Sequence, residues 1–305
     1  MTVRGASAAM PGHTNEIVVK AATRHVNAPI RVTIFGMRVA LSIAGSDPTG
    51  GAGLQADLQV FRALGVHGAG VVTALTVQDS SKVHEVLPVF PNVVLAQLRK
   101  LFADFTPDAV KIGMLASDDV ARMVELGLRS LGDAPGERPP IVLDPVFEAS
   151  DGTRLLERRA LAAIQDLVGV TTLITPNLSE AQALTGCDVS TEEGSQLAAS
   201  ALVMNLGAMA ALVKGGHRDG PPHDLFAERE GGSVSFTWLE GERIAGEPVH
   251  GTGCALASAV TAELAKGASL RDAVDTSRQF VAKAIRNAKR LGKRARFLSY
   301  TSDDT

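Results

Sequence analysis

Val39-Ala40-Leu41-Ser42-Ile43 leads through Ala44-Gly45-Ser46-Asp47-Pro48-Thr49-Gly50-Gly51-Ala52-Gly53 into Leu54-Gln55-Ala56-Asp57-Leu58-Gln59-Val60-Phe61-Arg62-Ala63-Leu64, which Gly65 stops. The first run reads as a buried strand, the second as a glycine loop and the third as a helix. The loop lacks the Lys-Ser/Thr of a P-loop and the complete Gly-x-Gly-x-x-Gly pattern, so neither nucleotide fingerprint applies. On a helical wheel Leu54, Leu58, Phe61 and Leu64 form one stripe, and Asp57 falls inside it. A buried carboxylate must find partners. The spacing allows two: a ligand hydroxyl or amine, or the protein's own loop.

Outward from this unit, strand patterns at Val71–Thr73, Ala109–Ile112, Ile141–Leu143, Thr171–Ile174 and Ala211–Val213 alternate with helical ones, and Ser233–Trp238 reads as a late antiparallel strand. This βαβ alternation predicts a three-layer αβα fold with a mainly parallel central sheet and helices on both faces. Ligands of such sheets bind at the carboxyl ends of the strands. Asp133–Pro140 and Asp219–Pro222 read as loops. A single domain is expected over 37–298, with tails at 1–36 and 299–305. Met37 opens directly onto the first strand, so residues 1–36 are expected to be a disordered tail or a misassigned start, with a targeting segment as the alternative.

The chain has 305 residues, 45% hydrophobic and 21% charged, with a formal net charge of −3. Its pI near 6.2 gives no electrostatic footprint for nucleic acid or an anionic membrane surface, and neither partner is expected. Cys187 and Cys254 are too few for a disulfide framework or a zinc site, which fits a reducing cytoplasm. No apolar run reaches the length of a membrane span.

Chemistry-bearing residues cluster at the predicted strand ends. His250-Gly251-Thr252-Gly253-Cys254 feeds straight into a helix. The free N–H groups of a helix start, approached over Gly251 and Gly253, suit a phosphate. The same field predicts a Cys254 thiol titrating below its reference value of about 8.5, although a glycine turn with a small buried Cys has the same pattern. Gln78 ends a strand with an amide that can pair with a heterocycle edge or simply face solvent. Met114 follows Gly113 at another strand end, where it can also be core filler. Asp144 and Glu180, each beyond a strand, suit magnesium acting through water, while Glu180 also reads as a helix-start acid. Lys214 leaves a strand onto Gly215-Gly216-His217 and suits a phosphate.

In their order, Ile43–Asp57, Thr73–Gln78, Lys111–Leu115, Asp144–Val146, Thr175–Asn177, Lys214–His217 and His250–Cys254 closely resemble the hydroxymethylpyrimidine/phosphomethylpyrimidine kinases of thiamine biosynthesis, within the ribokinase-like superfamily. The resemblance spans roughly residues 37–291. It implies ATP-dependent phosphorylation of a small-molecule pyrimidine and then of its monophosphate, with Mg2+. It implies that Asp57, Gln78 and Met114 bind the pyrimidine, that Lys214, Asn177 and Thr252 bind ATP, and that Asp144 and Glu180 manage the metal. Cys254 would be the base, with Gly251 and Gly253 supplying backbone N–H groups. A homodimer is expected. Two departures stand out: Ser150 replaces the family's usual Lys, and Arg296–Tyr300 lacks its Gly-His-Gly-Pro ending. Altered edges rather than lost chemistry are expected. The competing readings are a pyridoxal kinase and a non-catalytic pyrimidine sensor.

Overall fold

A computed structural model describes residues 36–132, 138–216 and 222–300. The tail to residue 35, most of the Asp133–Pro140 loop, His217, most of the Asp219–Pro222 loop and residues 301–305 lie outside these. The expected opening unit forms β1 (Val39–Ser46), the glycine loop and α1 (Gly53–Ala63). Then come β2 (His67–Gln78), β3 (Val83–Pro88), α2 (Pro91–Asp104), β4 (Ala109–Ile112), α3 (Asp118–Leu128), β5 (Ile141–Leu143), α4 (Leu161–Val168) and β6 (Leu173–Ile174). α5 (Leu178–Thr185), α6 (Glu192–Met204), β7 (Ala210–Val213), β8 (Asp224–Glu230) and β9 (Ser233–Leu239) complete the sheet region. The chain ends with β10 (Val249–His250), α7 (Thr252–Ala265), α8 (Leu270–Arg286), β11 (Lys289–Leu291) and β12 (Ala295–Phe297).

Nine strands form one sheet in the order β3-β2-β1-β4-β5-β6-β7-β8-β9. The strands from β2 to β7 run parallel, and β3, β8 and β9 are antiparallel additions. Alternation along each strand builds two cores. In β1, Leu41 and Ile43 pack with α2 to α6, while Ala40 joins α1, α7 and α8 on the opposite face. The three-layer expectation therefore holds. β6 is shorter than expected, with Thr171 and Thr172 turning into it, and β2 is much longer because it also carries the β3 hairpin.

Chain order reverses at β1, whose neighbours are β2 and β4, so the crevice beyond the carboxyl ends of β1 and β4 is the place for a ligand. A second, small sheet, β10-β12-β11, was not anticipated. It seats the C-terminal ribbon beside this crevice: the Phe297 ring meets His250 edge-on, with centroids 5.8 Å apart. The packed chain also runs past the expected boundary at 298, since Tyr300 stacks on Phe280.

Candidate active site

At the switch point lies a cleft lined by the ends of β1 and β4, the glycine loop, β2 and the start of α7. Thr76, Gln78, Met114, Val146 and Leu155 line it together with Lys111 and Cys254. Met114 is 8% exposed, and its methyl group fills the space that a side chain on Gly45 would need. The Gln78 amide lies 3.2 Å from His250 Nε2, which also lies 3.0 Å from Asp47 Oδ2. Asp47 shapes the glycine loop by accepting the N–H groups of Thr49 and Ala52. Burial alone would raise its carboxyl, but the His250 contact and these donors hold it below the ordinary carboxylate value.

The anion side is built on α7. Its N-cap is Gly251, at φ +80°, and no side chain caps the helix, so the N–H groups of Thr252, Gly253 and Cys254 have no partner within the helix. Lys214 stands against this turn: its Nζ is 3.2 Å from where a Cβ on Gly253 would be. Its ammonium donates to Asp144 Oδ1 at 2.9 Å, and Thr175 Oγ1 adds a second bond to the same oxygen at 3.2 Å. Burial opposes ionisation of Asp144, yet the ammonium groups of Lys214 and Lys111 bring its carboxyl below the usual range.

Asn177 and Glu180 close a capping box on α5. Asn177 Oδ1 accepts the Glu180 N–H at 2.9 Å, and Glu180 Oε2 accepts the Asn177 N–H at 2.7 Å. Burial pushes the Glu180 carboxyl up to about 7, against the pull of Lys214 and with the push of Asp144. Both expected functional side chains thus have local structural duties as well.

Two expectations need correction. Asp57 is fully buried and does not line the cleft. Its Oδ1 accepts from Lys111 Nζ at 2.7 Å and Ser258 Oγ at 2.7 Å, and its Oδ2 from Ser42 Oγ at 2.6 Å and Lys111 Nζ at 2.9 Å. The carboxylate is saturated by the protein, which takes the place of the expected substrate contact. Cys254 does not titrate low. Burial pushes its thiol up to about 11; Lys111 pulls down, Asp144 and Asp57 push up, and the Gly53 N–H aimed at sulfur lowers it slightly. Desolvation outweighs the helix-start field that the sequence pattern suggested.

Lys111, His250 and Asp47 were not assigned roles from the sequence. A lysine inside the buried run Ala109–Ile112, read together with an aspartate inside the apolar stripe of α1, was the signal for a buried ion pair. The Ser150 loop packs locally: Asp151 Oδ2 accepts the Val83 N–H at 3.0 Å, fastening it to β3.

A mainly parallel αβα domain with its cleft at the switch point, beside an uncapped glycine helix start, defines a ribokinase-like kinase. Residues 47–298 match the phosphomethylpyrimidine kinase family, and the chain belongs to that family. It is 41% identical over 255 residues to the hydroxymethylpyrimidine/phosphomethylpyrimidine kinase of Rhizobium meliloti, covering 83% of this chain and 92% of that one. The phosphomethylpyrimidine kinase of Clostridium difficile superposes with a TM-score of 0.71 at 32% identity, over 81% of this chain and 99% of that one. An ADP complex of Bacillus subtilis pyridoxal kinase superposes with a TM-score of 0.76 at 31% identity, over 87% and 97% of the two chains. Among the described residues no helix is long and apolar enough to cross a membrane.

Proposed function

We propose that this kinase transfers the γ-phosphoryl group of ATP to the hydroxymethyl oxygen of 4-amino-5-hydroxymethyl-2-methylpyrimidine, and then phosphorylates the monophosphate to the diphosphate for thiamine biosynthesis. The observation that carries the reading is the meeting, in one cleft, of the Gln78 amide and the Cys254 thiol beside the open start of α7. The amide can serve both the donor and acceptor edge of an aminopyrimidine. Met114, Val146 and Leu155 supply apolar walls for its ring.

In the first transfer the substrate oxygen attacks the γ-phosphorus. The new O–P bond forms as the bond to the β,γ-bridging oxygen breaks and ADP leaves. Cys254, a neutral thiol in this site, relays the hydroxyl proton: Sγ accepts it as the thiol's own proton passes to an oxygen of the transferring phosphoryl group. The N–H groups of Thr252, Gly253 and Cys254, with Lys214, stabilise the charge on the transferring group. Asn177 bridges to Lys214 through the backbone, and its amide N–H2 has donors for a phosphate oxygen. If the monophosphate re-enters with its phosphate toward ATP, the same arrangement performs the second transfer.

The donor set also fits magnesium. Two carboxylates, Asp144 and Glu180, feel one another across Lys214, and among the described residues no cluster of three or more ligating side chains forms a closed cage. That suits an ion carried mostly by phosphates and water. Bound magnesium would neutralise phosphate charge, held by Asp144 and Glu180 through water.

A pyridoxal kinase is the second reading, favoured by the closer superposition on the Bacillus enzyme. The test is turnover of each vitamer with ATP and magnesium, read by product mass; ligand binding without turnover would support a sensor instead. A homodimer is also proposed, supported by Leu75, Val77 and Leu87, which are half exposed on the β2–β3 ribbon. Sedimentation of the purified protein decides it. The cytoplasm is the proposed compartment, supported by two cysteines that are both free thiols.

A further inference from the structure

His250 Nε2 stands between two side chains that ask opposite things of it. It is 3.0 Å from Asp47 Oδ2 and 3.2 Å from Gln78 Nε2. One ring nitrogen carries either a proton or a lone pair, and Asp47 fixes which. Its Oδ1 accepts the Thr49 N–H at 2.8 Å and its Oδ2 the Ala52 N–H at 2.9 Å. In spite of its burial the carboxyl stays below its ordinary value, so it is ionised and only accepts. The Nε2 proton therefore points at Asp47, and an N–H2 group on the same nitrogen sets donor against donor. The other end of the amide meets a matching conflict. Gln78 Oε1 is 3.3 Å from Thr76 Oγ1, whose single proton has the Ser46 carbonyl oxygen at 3.0 Å. One half-turn of the amide, which fills the same volume, removes both conflicts. The carbonyl oxygen then accepts from His250, while the N–H2 group donates to Thr76 Oγ1 and keeps a second N–H. The imidazole is itself held in place. His250 is the register partner of Phe297 across β10 and β12, and the Phe297 ring meets it edge-on. A side chain on Gly51 would come 2.5 Å from the imidazole Cδ2, so the bare backbone of the glycine loop closes the remaining side.

We infer that His250 is a specificity-determining positioning residue: its Nε2 proton, fixed by Asp47, turns the Gln78 carbonyl oxygen toward the imidazole and leaves the amide N–H2 group for the cleft. Thr76 and Gln78 line that cleft and His250 does not, so His250 acts through Gln78. Of the two edges an amide can serve, the orientation leaves the donor. The heterocycle read there is one that offers a ring-nitrogen lone pair. The inference rests on the reading of Gln78 as the residue that contacts the pyrimidine. Because His250 directly precedes Gly251, the N-cap of α7, the same short segment sets the heterocycle contact and the anion turn.

The test has a spectroscopic and a kinetic arm. In full-length enzyme with isotope-labelled histidine nitrogens, the imidazole signals lost in His250→Gln identify His250. Its Nε2 is expected to carry the proton, and an Nε2 without one overturns the inference. This arm reads the parent enzyme, so it stands even where His250→Leu fails to fold. In steady-state kinetics His250→Leu is expected to raise the KM for 4-amino-5-hydroxymethyl-2-methylpyrimidine about threefold to tenfold. The KM for ATP should stay within about twofold, and His250→Gln, which keeps an amide N–H near the place of Nε2, should restore most of the loss. Equal rises in both KM values, or no rise in either, overturn the positioning role. In a Gln78→Ala background His250→Leu should have no further effect on the pyrimidine KM, and an undiminished effect there overturns the inference. An unchanged pyrimidine KM in Gln78→Ala alone overturns instead the reading of Gln78, while the nitrogen spectrum still decides the orientation of its amide.

Discussion

The carbonyl oxygen of Gly51 stands 1.8 Å from the point where a Cβ on Gly251 would sit. The glycine loop after β1 and the turn before α7, 200 residues apart in sequence, are thus in direct backbone contact, and both glycines are required there. Gly251 also needs its left-handed φ of +80°.

Gly251→Ala should therefore separate the two loops and misplace the α7 N–H groups. The expected loss in kcat/KM is about 10²- to 10³-fold, the scale of removing one preorganised donor. A drop in Tm should accompany it. Near-parental turnover would show that the turn is not where the transferring phosphoryl group is held.

Gln78→Ala should act on one substrate only. With the pyrimidine contact gone and His250 left short of a partner, the KM for the pyrimidine should rise about 10- to 100-fold, corresponding to about 1–3 kcal/mol, while the KM for ATP stays unchanged. Initial rates over a grid of both substrates separate these effects.

Lys214→Met leaves Asp144 buried without its ammonium partner, so stability and activity should both fall, with kcat down by at least about tenfold. Adding Asp144→Asn should restore Tm and leave turnover low. Recovery of activity in the double variant would mean that the pair serves only the fold.

Glu180 gives a stability prediction with a defined sign. Its carboxyl is held at about 7 in the folded protein against an ordinary value of 4.5, so the fold prefers the protonated form. Its contribution is fully present below pH 4.5 and is lost as pH rises to 7 and beyond. Glu180→Gln retains an oxygen that can accept the Asn177 N–H of the capping box and should gain Tm relative to the parent as pH goes from 5 to 8. A difference that does not change with pH would contradict the buried carboxyl.

Much of this was legible from residue order. Gly45–Gly53 between an apolar run and the Leu54, Leu58, Phe61 stripe fixes the first βα unit, and Gly251–Gly253 before an alanine-rich run fixes the start of α7. What escaped depended on long-range contacts. β10 is two residues long and β11 is Lys289-Arg290-Leu291, so neither has alternation to reveal that the C-terminal ribbon would pack Phe297 on His250. The burial of Asp57 was readable, but its partner was not, because Lys111 is 54 residues away and local spacing does not choose between lysine and ligand. The titration of Cys254 was misjudged for a related reason. The helix start is visible in sequence, whereas the desolvation and the carboxylates of Asp57 and Asp144 that oppose it belong to the folded site.

The central claim is tested most directly by incubating the purified enzyme with ATP and magnesium and either 4-amino-5-hydroxymethyl-2-methylpyrimidine or pyridoxal, following the products by mass. The pyrimidine should be phosphorylated at least about tenfold faster in kcat/KM, as a site built to hydrogen-bond one heterocycle edge allows, and a diphosphate should follow the monophosphate. Faster turnover of pyridoxal, or no phosphorylated pyrimidine at all, would contradict the account.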